Sequence, residues 1–134
     1  MESQTMIGGW KSYLDIYLYV AAMGMLVVFG IPLLLAPVLW ARAFRWHIPQ
    51  HEHLIVYLGR CLGGVICVIA VFAFRVASTP AVQPFFFDLI LGVFLVMILI
   101  HIYGAIRRIQ PITETIEIIF WVLLLLVTLC FYPS

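Results

Sequence analysis

Residues 54–74 read LIVYLGRCLGGVICVIAVFAF, an apolar run interrupted by a single charge at Arg60. An α-helix needs about 20 such residues to cross a hydrocarbon core. Lipid offers no hydrogen-bond partners, so a segment inside it must satisfy its own backbone groups as a helix or as part of a closed barrel. The alternating pattern of barrel strands is absent from this run, which therefore predicts a transmembrane helix.

Similar apolar runs recur along the chain. Together they predict four transmembrane helices, over residues 13–40, 53–76, 84–106 and 111–132. Because the connections between these runs are short, consecutive helices must be antiparallel neighbours. We therefore predict an all-α fold, in which one integral membrane domain forms an antiparallel four-helix bundle with both termini on the same side.

The composition agrees with this fold. The chain has 134 residues, of which 66% are hydrophobic and 10% are charged, and its mean hydropathy is +1.19. A formal net charge of +1 provides neither a basic surface for nucleic acid nor an acidic tail. These values exclude a soluble enzyme, a nucleic-acid-binding protein and a disordered regulator, and they make the lipid bilayer the main partner.

The first apolar run is the longest and contains Gly30, Pro32 and Pro37. Proline removes a backbone donor and disturbs the preceding helical turn. We predict either a kink in this helix or a span that ends near Leu35 and continues as an interfacial segment.

Small residues mark one face of the second helix. Gly59 and Gly63 are one turn apart, with Gly64 beside them, and such a face allows another helix to approach closely. We expect this helix to be central in the bundle and to present Arg60 to neighbouring helices.

The basic residues predict the orientation in the membrane. Five arginines fall on the side of the first and third connections, against two basic residues on the side of the termini, and cytoplasmic loops are enriched in Lys and Arg. We expect a multi-pass protein of a bacterial inner membrane with both termini on the non-cytoplasmic side. The two sets are Arg42, Arg45, Arg60, Arg107 and Arg108, and Lys11 and Arg75.

Ionisable residues inside the spans form the main candidate site. Counting 1.5 Å per residue, Arg60, His101 and Glu117 each lie roughly 9–10 Å below the loop-side surface. Glu114 is one turn shallower on the same face as Glu117, and Tyr103 is nearby in sequence. An imidazole, a carboxylate and a fixed cation are the groups that proton transfer or anion binding requires, so we predict a candidate catalytic cluster here.

This cluster also has a structural interpretation. Arg60 and Glu117 would form a buried ion pair that locks the bundle, with His101 as a hydrogen-bonded filler. Glu114 would complement the dipole of the fourth helix, which Pro111 begins. A second charged layer on the terminal side contains Asp15, Arg75 and Asp88, from the first three helices.

The connection before the second helix holds three of the four histidines, His47, His51 and His53. Imidazole suits Zn, Cu, Fe or Ni. Their spacing matches no standard ligand pattern, and Pro49 disturbs a continuous helical face. We therefore predict no metal site, with these histidines as the candidates if there is one, and no cofactor is evident from the sequence.

Short stretches in every predicted helix carry a family resemblance: Pro37, residues 58–63 (LGRCLG), residues 101–105 (HIYGA), Pro111, Glu117 and the Tyr132–Pro133 ending. With these features the chain resembles the DoxX-like assemblage of small four-helix membrane proteins, which includes families of unknown function. The resemblance implies a four-helix fold. Some members are membrane subunits of quinone-linked oxidoreductases, so it also implies a bioenergetic setting.

Three functions follow as hypotheses. The first is a non-catalytic accessory or scaffold subunit that docks other membrane subunits or further copies of itself. The second is a small membrane enzyme, or a quinone- or lipid-binding protein, in which His101 or Glu117 handles a proton and Arg60 stabilises negative charge. The third is a small-molecule transporter, which would require a dimer because no inverted repeat is visible.

Overall fold

The computed structural model describes residues 6–133, and over that range the chain is helical with no strand. Four segments are long and apolar enough to cross a membrane, and we call them the first to fourth spans: Lys11–Leu35, His53–Ala77, Pro80–Arg107 and Ile112–Cys130. They form an antiparallel bundle with both termini on one side. The predicted fold class is confirmed, and the protein is a multi-pass integral membrane protein.

Within the described residues there are six α-helices: α1 Leu14–Met25, α2 Ile31–Leu35, α3 Pro37–Ala43, α4 His53–Ala77, α5 Gln83–Arg107 and α6 Ile112–Cys130. A π-helical turn, Leu26–Gly30, joins α1 to α2 within the first span. Short 3₁₀ turns, Lys11–Tyr13 and Pro80–Val82, precede α1 and α5.

The first span ends with α2 at Leu35, which agrees with the prediction of a span that ends near that residue. Ala36 leaves the helical conformation (φ −139°, ψ 60°), because Pro37 crowds the backbone of the residue before it. Pro32 has no N–H to donate to the carbonyl of Val28, four residues earlier. The Trp40 indole donates to that carbonyl instead, at 2.8 Å. Helix α3 therefore folds back against the first span.

The first and second spans pack closely through a glycine contact. A Cβ added to Gly63 would stand 2.8 Å from the Gly30 carbonyl oxygen and would collide with the backbone nitrogen of Leu34. One turn earlier, a Cβ on Gly59 would stand 2.5 Å from the Cβ of Pro37. The predicted glycine face is thus a close helix contact, and its partner is the first span with the start of α3.

The third and fourth spans form a second close pair, α5 against α6. Side chains join the two pairs near the terminal side, where the Tyr17 ring stacks on Phe131 with centroids 4.6 Å apart and the Tyr17 hydroxyl hydrogen-bonds Thr128. Phe87 and Thr128 are completely buried there. The apolar core therefore lies mainly in the terminal-side half, between the two helix pairs.

Candidate functional site

The turn between α5 and α6 sets the geometry of the site. Arg108 ends α5 in the left-handed conformation (φ 55°). The Gln110 amide then reaches back and donates to the His101 carbonyl at 3.0 Å and to the Thr115 hydroxyl at 3.1 Å. It can do so because Gly104 has no side chain, and an added Cβ there would collide with the Gln110 amide. The last turns of α5 are thus held against the first turns of α6.

Three ionisable side chains meet at this junction, and we call them the His–Glu–Glu cluster: His101, Glu114 and Glu117. The Nε2 atom of His101 lies 3.2 Å from Glu114 Oε2 and 3.7 Å from Glu117 Oε2. The three side chains are 6%, 10% and 14% exposed, respectively. The other ring nitrogen of His101, Nδ1, lies 2.7 Å from the backbone carbonyl of Met97. The predicted convergence of His101 with Glu114 and Glu117 therefore occurs.

Trp46, which sequence reasoning did not place in the site, holds one carboxylate of the cluster. The Trp46 indole N–H donates to Glu114 Oε1 at 2.8 Å. Trp46 follows Arg45, which has a left-handed backbone (φ 64°), and its own N–H closes α3 on the Ala41 carbonyl. No sequence signal identifies this contact, because it depends on how the connection after α3 folds over the start of α6.

Two buried polar atoms beside the cluster have no hydrogen-bond partner within residues 6–133. They are Glu117 Oε1 and Trp121 Nε1, one helical turn apart on α6. Buried polar groups normally have partners, because an unpaired one costs about 1–3 kcal/mol. These two atoms, an acceptor and a donor, both belong to residues that face an internal cavity.

The cavity has a volume of about 660 Å³ and is lined by all four spans. Its walls are apolar, and along α5 they extend from Phe86 to His101, about 22 Å at 1.5 Å per residue. The His–Glu–Glu cluster lies at its loop-side end, together with Trp46 and His47. The second and third spans pack against each other much less than the spans within either pair, and the cavity occupies the space between the pairs.

The structure places Arg60 outside the cluster, which corrects the expectation that it meets His101 and Glu117. Its side chain is exposed and lines a separate surface groove with Glu52, His53 and Tyr57. The second span turns its glycine face to the first span, and this orientation directs Arg60 away from α5 and α6. The expected central position of the second helix and the ion pair of Arg60 with Glu117 are therefore wrong.

Tyr103 also lies outside the cluster and is 59% exposed. It follows His101 by two residues, and residues two apart on a helix point to nearly opposite sides. The second charged layer does not assemble either. Asp15, Arg75 and Asp88 are exposed, and no ion pair joins them within residues 6–133.

The connection histidines do not come together as metal ligands. His47 lines the cavity, His53 lines the groove of Arg60, and His51 is exposed. Within the described part of the chain, the His–Glu–Glu cluster is the group of residues that could hold a metal ion. Its potential ligand atoms lie within 4.8 Å of one another.

The chain matches no family model, no curated protein and no solved structure. The resemblance to DoxX-like proteins therefore stays a prediction, and the function has to be argued from the cavity and its polar end.

Proposed function

We propose that the protein binds an elongated lipophilic molecule, such as a quinone or a lipid, inside the bundle. The apolar body of this molecule would occupy the cavity, and an oxygen-bearing end would lie at the His–Glu–Glu cluster. The observation that carries the proposal is an apolar cavity of about 660 Å³ that ends at buried polar groups. Ligand sites of this size commonly combine apolar walls with a few polar groups that fix the orientation of the ligand.

The unpartnered atoms support this assignment. A carbonyl or hydroxyl group of a ligand would accept from the Trp121 indole N–H, and a hydroxyl would donate to Glu117 Oε1. Both groups would then gain a hydrogen-bond partner that they lack within residues 6–133. The space between the second and third spans would admit a lipophilic molecule directly from the bilayer.

Cavity filling tests this function. Val93 lines the cavity and Leu95, two residues along α5, is exposed and does not line it. The protein is purified in mild detergent, and bound lipophiles are extracted with solvent and quantified by mass spectrometry. We expect one molecule per chain in the wild type and in Leu95→Trp, and a loss of most of it in Val93→Trp. Equal amounts in both variants, or none in the wild type, would contradict the proposal.

The accessory-subunit hypothesis remains as a second function. It is favoured by an outer surface rich in exposed large apolar side chains, which suits contact with another subunit as well as with lipid. Extraction from the native membrane in mild detergent, followed by size analysis, distinguishes the two. Co-migration with other membrane proteins supports a subunit role, and migration at 15.3 kDa plus its detergent opposes it.

The orientation of the protein in the membrane is also a proposal. We infer that the arginine-rich loop side faces the cytoplasm of a bacterial cell, which would place the polar end of the cavity near the cytoplasmic surface. A membrane-impermeant thiol reagent tests this in whole cells. In a background that lacks the native cysteines Cys61, Cys67 and Cys130, it should label a cysteine placed at Ser78, in the connection of the terminal side, and should not label one placed at Gln50.

A further inference from the structure

We propose that the His–Glu–Glu cluster binds a divalent first-row transition metal ion through His101 Nε2, Glu114 Oε2 and a carboxylate oxygen of Glu117. The inference does not depend on the proposed lipophilic ligand, because it concerns the ion alone. Four features of the cluster support it: its charge, the direction of the imidazole lone pair, its atomic spacing and the groups that surround its ligands.

The first argument is charge. Glu114 and Glu117 are both sheltered from solvent, and neither forms an ion pair with Lys or Arg within residues 6–133. Two carboxylates in an apolar environment are costly unless a proton or a cation neutralises them. Arg60, the cation that the sequence analysis expected beside them, lines a separate surface groove. A divalent ion would neutralise both carboxylates at once and leave the imidazole neutral.

The second argument is the direction of the imidazole. A carbonyl oxygen only accepts hydrogen bonds, so His101 must donate its Nδ1–H to Met97. In the neutral ring Nε2 then carries a lone pair, and this lone pair faces carboxylate oxygens of Glu114 and Glu117. Acceptors that face one another need a proton or a cation between them, and a metal ion can bind all three groups at once.

The third argument is distance. Donor atoms bound at 2.0–2.2 Å to a tetrahedral ion are separated by about 3.4 Å. The two separations from His101 Nε2 are 3.2 Å to Glu114 and 3.7 Å to Glu117. All of the ligand atoms lie within 4.8 Å of one another, so the widest separation would have to shorten by up to about 1.4 Å for the three groups to surround one tetrahedral ion.

The fourth argument is the surrounding hydrogen bonds. Histidines that bind metals usually donate their other ring N–H to a carbonyl or a carboxylate, and carboxylate ligands are themselves hydrogen-bonded. Met97 holds His101 in this way, and Trp46 holds Glu114 through Oε1 while Oε2 points to the cluster. Both ligands are thus oriented by outer partners, and the side of the cluster that faces the cavity leaves coordination positions for a ligand oxygen.

The mixture of one imidazole and two carboxylates favours Zn²⁺, Fe²⁺ or Mn²⁺ over Ca²⁺ and Mg²⁺, which prefer oxygen ligands alone. Zn²⁺ is the practical probe because it does not change oxidation state.

The experiment measures Zn²⁺ binding to the full-length, tag-free protein after chelator treatment, by equilibrium dialysis and elemental analysis. We expect one Zn²⁺ per chain. Trp46→Phe should weaken the affinity at least about tenfold, as loss of an outer partner does, and Glu117→Gln should weaken it more. The control variant, in which His51 and His53 are changed to Ala, should bind Zn²⁺ as the wild type does, because these two histidines lie outside the cavity.

Absence of binding to the wild type, or its loss in the two-histidine control alone, would overturn the proposal. X-ray absorption of the wild-type Zn²⁺ complex gives an answer even if Glu117→Gln does not fold. The expected shell has nitrogen and oxygen ligands at about 2.0–2.2 Å with a single imidazole, and a shell with sulfur or several imidazoles would contradict it. Val93→Trp should still bind Zn²⁺, which separates this test from that of the lipophilic ligand.

Discussion

The two ends of the bundle differ in the exposure of their charged residues. On the loop side, His101, Glu114 and Glu117 are withdrawn from solvent and meet one another. On the terminal side, Asp15 and Arg75 remain exposed, and no ion pair joins them to each other. An exposed charge near an interface costs little, whereas a buried one must be compensated. The His–Glu–Glu cluster on the loop side is therefore the group of charged residues that needs a compensating ligand.

The same comparison bears on what holds the helices together. A charge lock requires opposite charges in contact across helices, and neither layer provides one with Lys or Arg. The close approach of Gly63 to the backbone of the first span is instead a contact that no larger residue permits. We infer that helix packing stabilises the bundle and that the buried charges serve another purpose.

The largest expected effect tests this inference. Gly63→Leu should destabilise the protein by about 3 kcal/mol or more, because its side chain would collide with the backbone of the first span. Gly24→Leu is the matched control, since nothing lies within 4 Å of an added Cβ there. The control should be neutral or more stable, by up to about 0.8–1.0 kcal/mol from helix propensity. Unfolding in detergent followed by circular dichroism measures both, and similar stabilities would refute the packing argument.

Sequence reasoning found the depth of the site but not all of its members. Counting residues from the loop side placed His101 and Glu117 at one level, because the rise of a helix is fixed. The direction around each helix is not fixed in this way, since a helix that is apolar on all sides has no hydrophobic face to mark its partners. Arg60 was therefore assigned the wrong direction, and it lines an outer groove instead.

Other parts of the site differ in how far the sequence could reveal them. Tyr103 could have been excluded by its spacing of two residues from His101, which puts it on another side of α5. Trp46 could not have been included, because its contact with Glu114 joins a connection to a helix 68 residues later. The cavity could not be predicted from the sequence either, because its volume depends on the distance between the two helix pairs.

The next prediction concerns how much the buried carboxylates of the His–Glu–Glu cluster lower the free energy of unfolding. In chelator-treated protein, Glu117→Leu should raise the free energy of unfolding by about 1–2 kcal/mol, because it removes a buried carboxylate that lacks a Lys or Arg partner and replaces it with an apolar side chain. The exposed Asp15→Asn should change it by less than about 0.5 kcal/mol. Chemical unfolding in detergent checks both values. A large loss of stability in Glu117→Leu would restore the structural interpretation of the cluster.

A smaller effect is expected at Trp46. Trp46→Phe keeps an aromatic ring but removes the donor to Glu114 Oε1, and the loss of a typical hydrogen bond costs about 1 kcal/mol. Trp10 on the terminal side is the matched control, because it is 54% exposed and contacts Phe131 through its ring. Trp10→Phe should change stability by less than about 0.5 kcal/mol. Equal losses in the two variants would show that the indole donor has no special role.

The smallest effect belongs to the terminal side, where Tyr132 donates a hydrogen bond of 2.8 Å to Asp88 Oδ1. This hydrogen bond and the negative charge of Asp88 favour the neutral phenol, and they raise the pKa of Tyr132 above its usual value of about 10. A raised pKa means that the contribution to stability is complete below about pH 10 and is lost as the pH rises through the higher value. At neutral pH this contribution is therefore fully present, but the hydrogen bond is exposed, so Tyr132→Phe should cause only a slight loss.

Tyrosine absorbance as a function of pH measures this effect, and the difference between wild type and Tyr132→Phe isolates one phenol among the six tyrosines. Asp88→Asn should return the Tyr132 midpoint toward about 10, because the amide carries no charge. A wild-type midpoint at or below that value would mean that the Asp88 carboxylate is solvated instead of bonded. The terminal-side layer would then lack even this one contact, and the contrast with the buried His–Glu–Glu cluster would be greater still.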